Sequence, residues 1–395
     1  MSGRDLFCQP RRARRGATLT LVFASVLVAG AATGSLPLAG RGPDVHGGPG
    51  ATRAAAPAAR HDEVTEVTEA AADALAEGKS AVEAAERAVS RSGDRWGSVY
   101  TEGEFAEFEE ALDGAYTGVG LSARRERDGR IEVTEVSTGS PADGAGIRVG
   151  DRIVSIDGKR VAGLPVTEVV ALLRGAPQDA HAGTAVRLGL ERGPRAWQQT
   201  LRRARLSTDP VTVRELPGGV TLIKVTAFTR GTGDFVRDAV REARSDAGLV
   251  LDLRGNSGGL VSEAVTAASA FLDGGLVATY DVDGRQRALH AESGGDTARP
   301  LVALVDGGTM SAAELVTGAL QDRSRAVVVG SRTFGKGSVQ MPTELPDGSV
   351  AELTVGHYRT PAGRAVDGKG ITPDLEADGD AALDRAGTVL TGLGR

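Results

Sequence analysis

Beyond about Arg202, short apolar runs alternate with stretches whose apolar residues recur three and four apart, and few folds accommodate that alternation. The runs are GVTLIKV, LVLDLRG, LVALV and AVVVGS; between them lie DFVRDAVREARSDAG, VSEAVTAASAFLDG and a segment opening at Ser311. Such a βα series predicts an α/β core with helices layered on a sheet. Phe235, Val236, Ala239, Val240 and Ala243 fall on one side of the first helix, as a layer against a sheet requires. The stretch SVQMPTELPDGSVAELTVGHYRT reads as a β-hairpin turning at Asp347 and Gly348. No internal repeat is visible.

Residues 62–91 carry strong helix formers with apolar positions three and four apart, which predicts one or two amphipathic helices, and EFAEFEEAL predicts a further short one. From Gly118 the character changes to short strands and turns, with hairpin signals at Asp128-Gly129 and Asp157-Gly158. A helix at LPVTEVVALLRG and a strand at TAVRLGLERG complete a unit of about 80 residues. With GVGL and GSPADGAGIRVGDRIVSIDG, this succession resembles a PDZ domain. That resemblance implies that Gly118, Val119, Gly120 and Leu121 offer N–H groups to a peptide's C-terminal carboxylate while the peptide adds as a strand. A small β domain that binds nothing is the plain alternative.

Arg11, Arg12, Arg14 and Arg15 precede an uncharged stretch over 16–40, the pattern of an export signal. Small residues around AGAAT suit cleavage, and the uncut stretch is long enough to span a bilayer; a buried N-terminal helix is the alternative. The sole cysteine, Cys8, supports neither a disulfide framework nor a zinc site built on two or more cysteines. A net charge of −6 and a pI near 5.6 argue against a nucleic-acid partner. The chain divides into an export signal or anchor at 1–40, a flexible Gly/Pro/Ala linker at 41–60 and an N-terminal helical segment at 61–115. A PDZ-like domain at 116–195, a core at 196–376 and a C-terminal tail at 377–395 follow.

Ser311 follows the strand LVALV through DGGTM and opens a helix whose predicted buried positions are Ala312, Ala313, Leu315, Val316, Ala319 and Leu320. At a helix N-terminus the free N–H groups and the dipole favour a developing oxyanion. Ser311 qualifies equally as a simple N-cap, with Glu314 completing a capping box. Lys336 stands in the Gly-flanked turn FGKG after a buried strand, where a merely solvated lysine is not expected. A neutral lysine can take a serine's proton, and neutrality near pH 7 requires desolvation to lower its usual value by roughly three pH units, about 4 kcal/mol. Gln340 offers a side-chain carbonyl to orient the amine.

These blocks resemble those of the carboxy-terminal processing proteases, a serine–lysine peptidase family. The pattern SAxE, GALQD and TFGKGxVQ is met by Ser311, Ala312, Glu314, Gly318 to Asp322, Thr333 to Gly337, Val339 and Gln340. An upstream DLRxNxGG block appears as Asp252, Leu253, Arg254, Asn256, Gly258 and Gly259, and a downstream block as Thr360, Pro361, Gly363, Arg364 and Gly368 to Asp374. The resemblance covers about residues 62–376, with the PDZ-like unit ahead of the core. It implies Ser311 as nucleophile, Lys336 as general base, Gln340 as its orienter and the N–H groups of Gly258 and Ala312 as the oxyanion hole, with no cofactor and with tail-bearing proteins as substrates. The fold expected is multidomain α+β: a helical segment, a PDZ-like β domain and an α/β serine-protease core ending in a β-hairpin. Gly307, Gly308, Thr309 and Met310 depart from the family's usual residues before the serine, and APQDAHA is longer than its counterpart.

GNSGG also resembles the nucleophile loop of trypsin-like and HtrA-like proteases, which would make Ser257 the nucleophile. That chemistry needs a histidine and an aspartate upstream, and His46, His61 and His181 lie in unsuitable settings. GSRTFGK fails as a phosphate-binding loop at Gly337, where Ser or Thr must reach magnesium. His357 alternates within a strand pattern and reads as an exposed or core histidine. A tail-binding module without catalysis is the alternative of a different class, and retention of both Ser311 and Lys336 argues against it.

Overall fold

The computed structural model describes residues 58–393 apart from 127, 165, 176–180, 245–247 and 283–284. The export segment predicted over 1–40 and residues 41–57 of the linker lie outside the described residues. Among the described residues no helix is long and apolar enough to cross a membrane. Residues 118–204 form one compact unit, and the described residues before and after them form a second.

The second unit begins with α1 (Ala58–Ala76) and α2 (Ala81–Ser92). Ser80 caps α2 by accepting the Glu83 N–H, and Gly93 stops it at φ +83°. β1 (Ser98–Tyr100), α3 (Glu102–Leu112) and β2 (Ala115–Gly118) follow, α3 opening on a Thr101/Glu104 capping box.

Within residues 118–204 the elements are β3 (Leu121–Arg125), β4 (Ile131–Val136), α4 (Pro141–Gly144), β5 (Arg152–Ile156), β6 (Lys159–Arg160), α5 (Val166–Arg174), β7 (Ala185–Arg192) and β8 (Arg195–Arg202). The antiparallel sheet runs β3-β4-β5-β7-β8, with β6 on β5. Its core is closed by Ile131 and Val133, Leu188 and Leu190 at alternate positions, by Ile153 and Ile156 across a register shift in β5, and by Val169 and Leu173 of α5. β8 has no apolar alternation because nearly all its side chains are half-buried or exposed, so nothing in the sequence marked it as a strand.

After residue 204 come β9 (Ala204–Ser207), β10 (Val211–Glu215), β11 (Thr221–Val225), α6 (Thr232–Glu242), β12 (Leu249–Asp252), α7 (Val261–Ser269), β13 (Leu276–Val282) and β14 (Arg285–His290). The chain ends in β15 (Leu301–Val305), α8 (Ala312–Asp322), β16 (Val327–Gly330), β17 (Ser338–Glu344), β18 (Val350–Arg359), β19 (Leu375–Glu376) and α9 (Gly379–Leu393). The central sheet runs β10-β11-β12-β15-β16-β19, parallel except for β10.

Both faces of that sheet are buried, which is why its strands read as continuous apolar runs. Ile223, Leu249, Leu251, Leu301, Ala303 and Val328 face the core shared with α6, α7 and α8. Their neighbours Leu222, Val250, Val302, Leu304 and Val329 face the opposite way and are covered by Ala382, Ala386 and Leu390 of α9. The segment expected to trail as a tail thus contains a helix that seals the second face. A further sheet, β1-β18-β13-β14 with β17 on β18, contains the expected hairpin at Asp347-Gly348.

One expectation for α6 fails. Val236, Ala239 and Val240 are buried, but Phe235 is 60% exposed. Val236, Ala239 and Val240 lie about 100°, 40° and 140° round the helix from Phe235, so the stripe they define is centred about 90° away from it.

Candidate active site

DLRGNSGG follows β12, DGGTMS follows β15 and SRTFGKG follows β16, and these three strands are consecutive neighbours in the parallel sheet. Three blocks distant in sequence therefore converge at the carboxyl ends of adjacent strands, where open α/β sheets place their ligands. Loop bonds lock them together. Asp306 Oδ1 accepts the N–H groups of Gly255 and Gly308, each at 2.9 Å. Thr309 donates its hydroxyl to the Leu253 carbonyl at 2.9 Å, and its own carbonyl accepts the Phe334 N–H at 3.0 Å. Thr309, a departure from the family pattern, is thus buried and working as a cross-link.

Ser311 is fully buried and has φ +58° and ψ −117°, a conformation an L-residue adopts at a cost of about 1–3 kcal/mol. Simple caps have extended backbones, as Ser80 (φ −68°) and Thr101 (φ −62°) do in this chain. Glu314 does return its carboxylate to the Ser311 N–H at 2.9 Å, as a capping-box residue would. That carboxylate also accepts the N–H groups of Gly335 and Lys336, both at 2.8 Å, and the Thr333 hydroxyl at 2.5 Å. Burial outweighs the pull of these donors and raises the Glu314 carboxyl above its ordinary value. From the other side the Tyr358 hydroxyl donates to the Ser311 carbonyl at 2.9 Å and to the Lys336 carbonyl at 3.3 Å. Glu314 and Tyr358 therefore brace the backbones of both predicted dyad residues.

Lys336 is 1% exposed, among the largest fully buried side chains. Burial lowers its ammonium to about 8, partly opposed by the negative charges of Glu352, Asp94 and Asp367. Its Nζ lies 5.2 Å from the centre of the Trp96 ring, and Trp96 packs against Phe334 and donates its indole N–H to Asp367 at 3.3 Å. Gln340 is fully buried; its amide nitrogen donates to Ser338 Oγ at 2.8 Å and to Thr354 Oγ1 at 3.3 Å. Among the described residues its Oε1 has no hydrogen-bond partner, leaving one buried carbonyl to accept from an amine. Asp94 anchors Thr354 through its N–H and its hydroxyl, at 2.7 and 2.8 Å.

Gly258 abuts Ser311. A Cβ built on it would stand 2.9 Å from Ser311 Cβ and 3.2 Å from the Ala312 nitrogen, and its φ is +101°. Ala312 is the first residue of α8, so its N–H has no partner within the helix. The Gly258 N–H, by contrast, donates to Asn256 Oδ1 at 2.9 Å. Sequence gave no sign that this donor is already engaged. Asp252 is held by Arg254 through bonds of 2.8 and 2.7 Å. Burial alone would raise its carboxyl, but these bonds and the guanidinium charge outweigh that and lower it.

Among the described residues no imidazole hydrogen-bonds Ser257, and His357 is half exposed on β18, 3.9 Å from Asp367. In the other unit, Gly118 to Leu121 lead into β3, the edge strand of its sheet. The loop is anchored by the Ala142 N–H on the Val119 carbonyl and the Ser137 N–H on the Gly120 carbonyl, both at 2.9 Å.

The matched family models are those for peptidase family S41 over residues 219–377 and for a PDZ domain over residues 132–192. The chain belongs to peptidase family S41 and carries a PDZ domain. It is similar to the carboxy-terminal processing protease CtpA of Bacillus subtilis (strain 168), 35% identical over 287 residues, which are 71% of this chain and 60% of that protein. It is also similar to the chloroplastic carboxyl-terminal-processing peptidase 2 of Arabidopsis thaliana, 38% identical over 291 residues covering 69% and 55% of the two chains. The photosystem II D1 C-terminal processing protease has a solved structure that is 31% identical, with 75% of this chain and 82% of that one covered and a TM-score of 0.47. The chain spans less than two thirds of the length of either curated relative.

Trp96, Asp94, Tyr358 and Glu352 escaped sequence reading as members of this site. Glu352 and Tyr358 could have been suspected as polar residues interrupting a buried strand; Trp96 and Asp94 offered no signal.

Proposed function

We propose that the chain is an exported serine endopeptidase that takes up protein C-terminal tails through its PDZ domain and cleaves peptide bonds with a Ser311–Lys336 dyad. The observation that carries this reading is Lys336, buried and depressed toward neutrality on a loop that Glu314 ties to the strained Ser311. Neutral Lys336 Nζ takes the Ser311 hydroxyl proton as Oγ attacks the scissile carbonyl. The oxyanion accepts the Ala312 N–H, and the Gly258 N–H joins once it leaves Asn256. Lys336 then gives its proton to the departing amine, and water, deprotonated by the same lysine, releases the acyl group from Ser311. Gln340 Oε1 orients the amine. The edge position of β3 beside the Gly118–Leu121 loop supports strand addition by a tail. The arginine cluster ahead of the uncharged 16–40 stretch supports export, whether or not that stretch is removed.

Digestion of an unfolded model protein by purified wild type, Ser311→Ala, Lys336→Ala, Ser257→Ala and His357→Ala tests the dyad. Cleavage is expected to vanish in the first two variants and to persist in the last two. Wild-type rates in either dyad variant would refute it, and loss in Ser257→Ala alone would return the trypsin-like alternative.

A further inference from the structure

Glu352 is a buried acid that the mechanism above leaves without a task. It is 1% exposed, and among the described residues neither carboxylate oxygen has a hydrogen-bond donor. In the β17–β18 ribbon Gln340 pairs with Thr354 and Pro342 with Glu352, so strand periodicity puts Glu352 on the face that carries Gln340. Lys336 leads directly into that ribbon and is the cation whose charge acts on Glu352; reciprocally, Glu352 is the foremost charged influence on Lys336. The other ionisable groups facing the pair are Asp94 and Asp367 toward Lys336, with His357 beside Asp367, and Tyr100 on β1 toward Glu352. The Tyr358 hydroxyl and the Glu314 carboxylate are engaged with backbone groups of the dyad loops. A buried carboxylate without donors is costly unless it is neutral or faces a cation.

We propose that Glu352 is a positioning residue for the base: its carboxylate holds Lys336 in the ammonium form in the resting enzyme and thereby sets the lower pH limit of catalysis. Burial raises the Glu352 carboxyl to about 7 even against the opposing pull of the Lys336 charge. Above that value Glu352 is charged and opposes loss of the Lys336 proton; removing the charge makes the lysine a free base at lower pH. The inference rests on Lys336 as the general base.

The test is the pH profile of kcat/KM for wild type, Glu352→Gln and Glu352→Asp. Glu352→Gln is expected to move the acid limb down by about half a pH unit or more, raising the rate about threefold near pH 7.5, where wild-type Glu352 is charged, and hardly at pH 6, with the plateau little changed. Glu352→Asp, which keeps the charge, is expected to move the limb back toward wild type. A Glu352→Gln limb that overlays wild type overturns the proposal. Should Glu352→Gln not fold, the Lys336 Cε carbon resonance decides in otherwise native Ser311→Ala enzyme. Two titration steps, one at the Glu352 carboxyl midpoint, support the coupling; a single step overturns it. Wild-type cleavage by Lys336→Ala would instead sink the dyad itself, so the two failures are distinguishable.

Discussion

Four donors meet at one carboxylate in Glu314, which serves Ser311, Thr333, Gly335 and Lys336 from the first turn of α8. Truncation at that point strands buried N–H groups, each costing about 1–3 kcal/mol. Glu314→Ala is therefore expected to lower unfolding free energy by at least about 3 kcal/mol in urea titrations and to abolish cleavage. Glu314→Gln, which can accept at one oxygen only, is expected to fold while losing most of its kcat; unchanged kcat would refute the bracing role. The blocks that carry Ser311 and Lys336 were legible in sequence because each is short and linear and its residues touch one another. Glu352 and Trp96 were not: Trp96 reaches Lys336 across some 240 residues of chain, a proximity created only by tertiary packing.

Elements, rather than residues, decide where the three blocks meet. The βα alternation was visible because strands buried on both faces leave unbroken apolar runs, and the order β12-β15-β16 then brings their trailing loops together. Less visible were β8 and β14, whose side chains are mostly exposed, and α9, where Gly379, Gly387 and Gly392 dilute the helical pattern. Family blocks that touch no reacting atom also find their reason at this scale. Gln321 donates to the Thr372 carbonyl and to Asp374 at 2.9 Å each, and Asp322 pairs with Arg364, so the GALQD helix end clamps the downstream block. The loop after β12 tolerates no bulk: Gly258→Ala would press a methyl onto Ser311 Cβ and the Met310 carbonyl while demanding φ +101°. That variant is expected to keep its circular dichroism, to melt a few degrees lower and to cut kcat/KM by about a hundredfold or more, the size of losing an oxyanion donor. Near-normal kcat/KM would show that the loop yields and the close approach is incidental.

At the scale of the molecule, the core of residues 118–204 draws on none of the residues that build the other cores. Leu188→Ala removes a fully buried side chain from that core, at a cost of about 2–5 kcal/mol. Limited proteolysis followed by mass spectrometry is expected to find new cuts confined to residues 118–204, while cleavage of a short peptide substrate continues. Cuts spread evenly through both units would refute independent stability.

The cover that α9 provides has a temporal side. Synthesis runs from N- to C-terminus, so every strand of the central sheet leaves the ribosome before the helix that shields Leu222, Val250, Val302 and Leu304 from water. Until that helix docks, the sheet bearing Ser311 presents a greasy face to its surroundings. The bond from Arg254 to the Gly379 carbonyl joins the docking helix to the loop that carries Gly258. A nascent chain therefore keeps one face of its central sheet uncovered until α9 has been made and has docked.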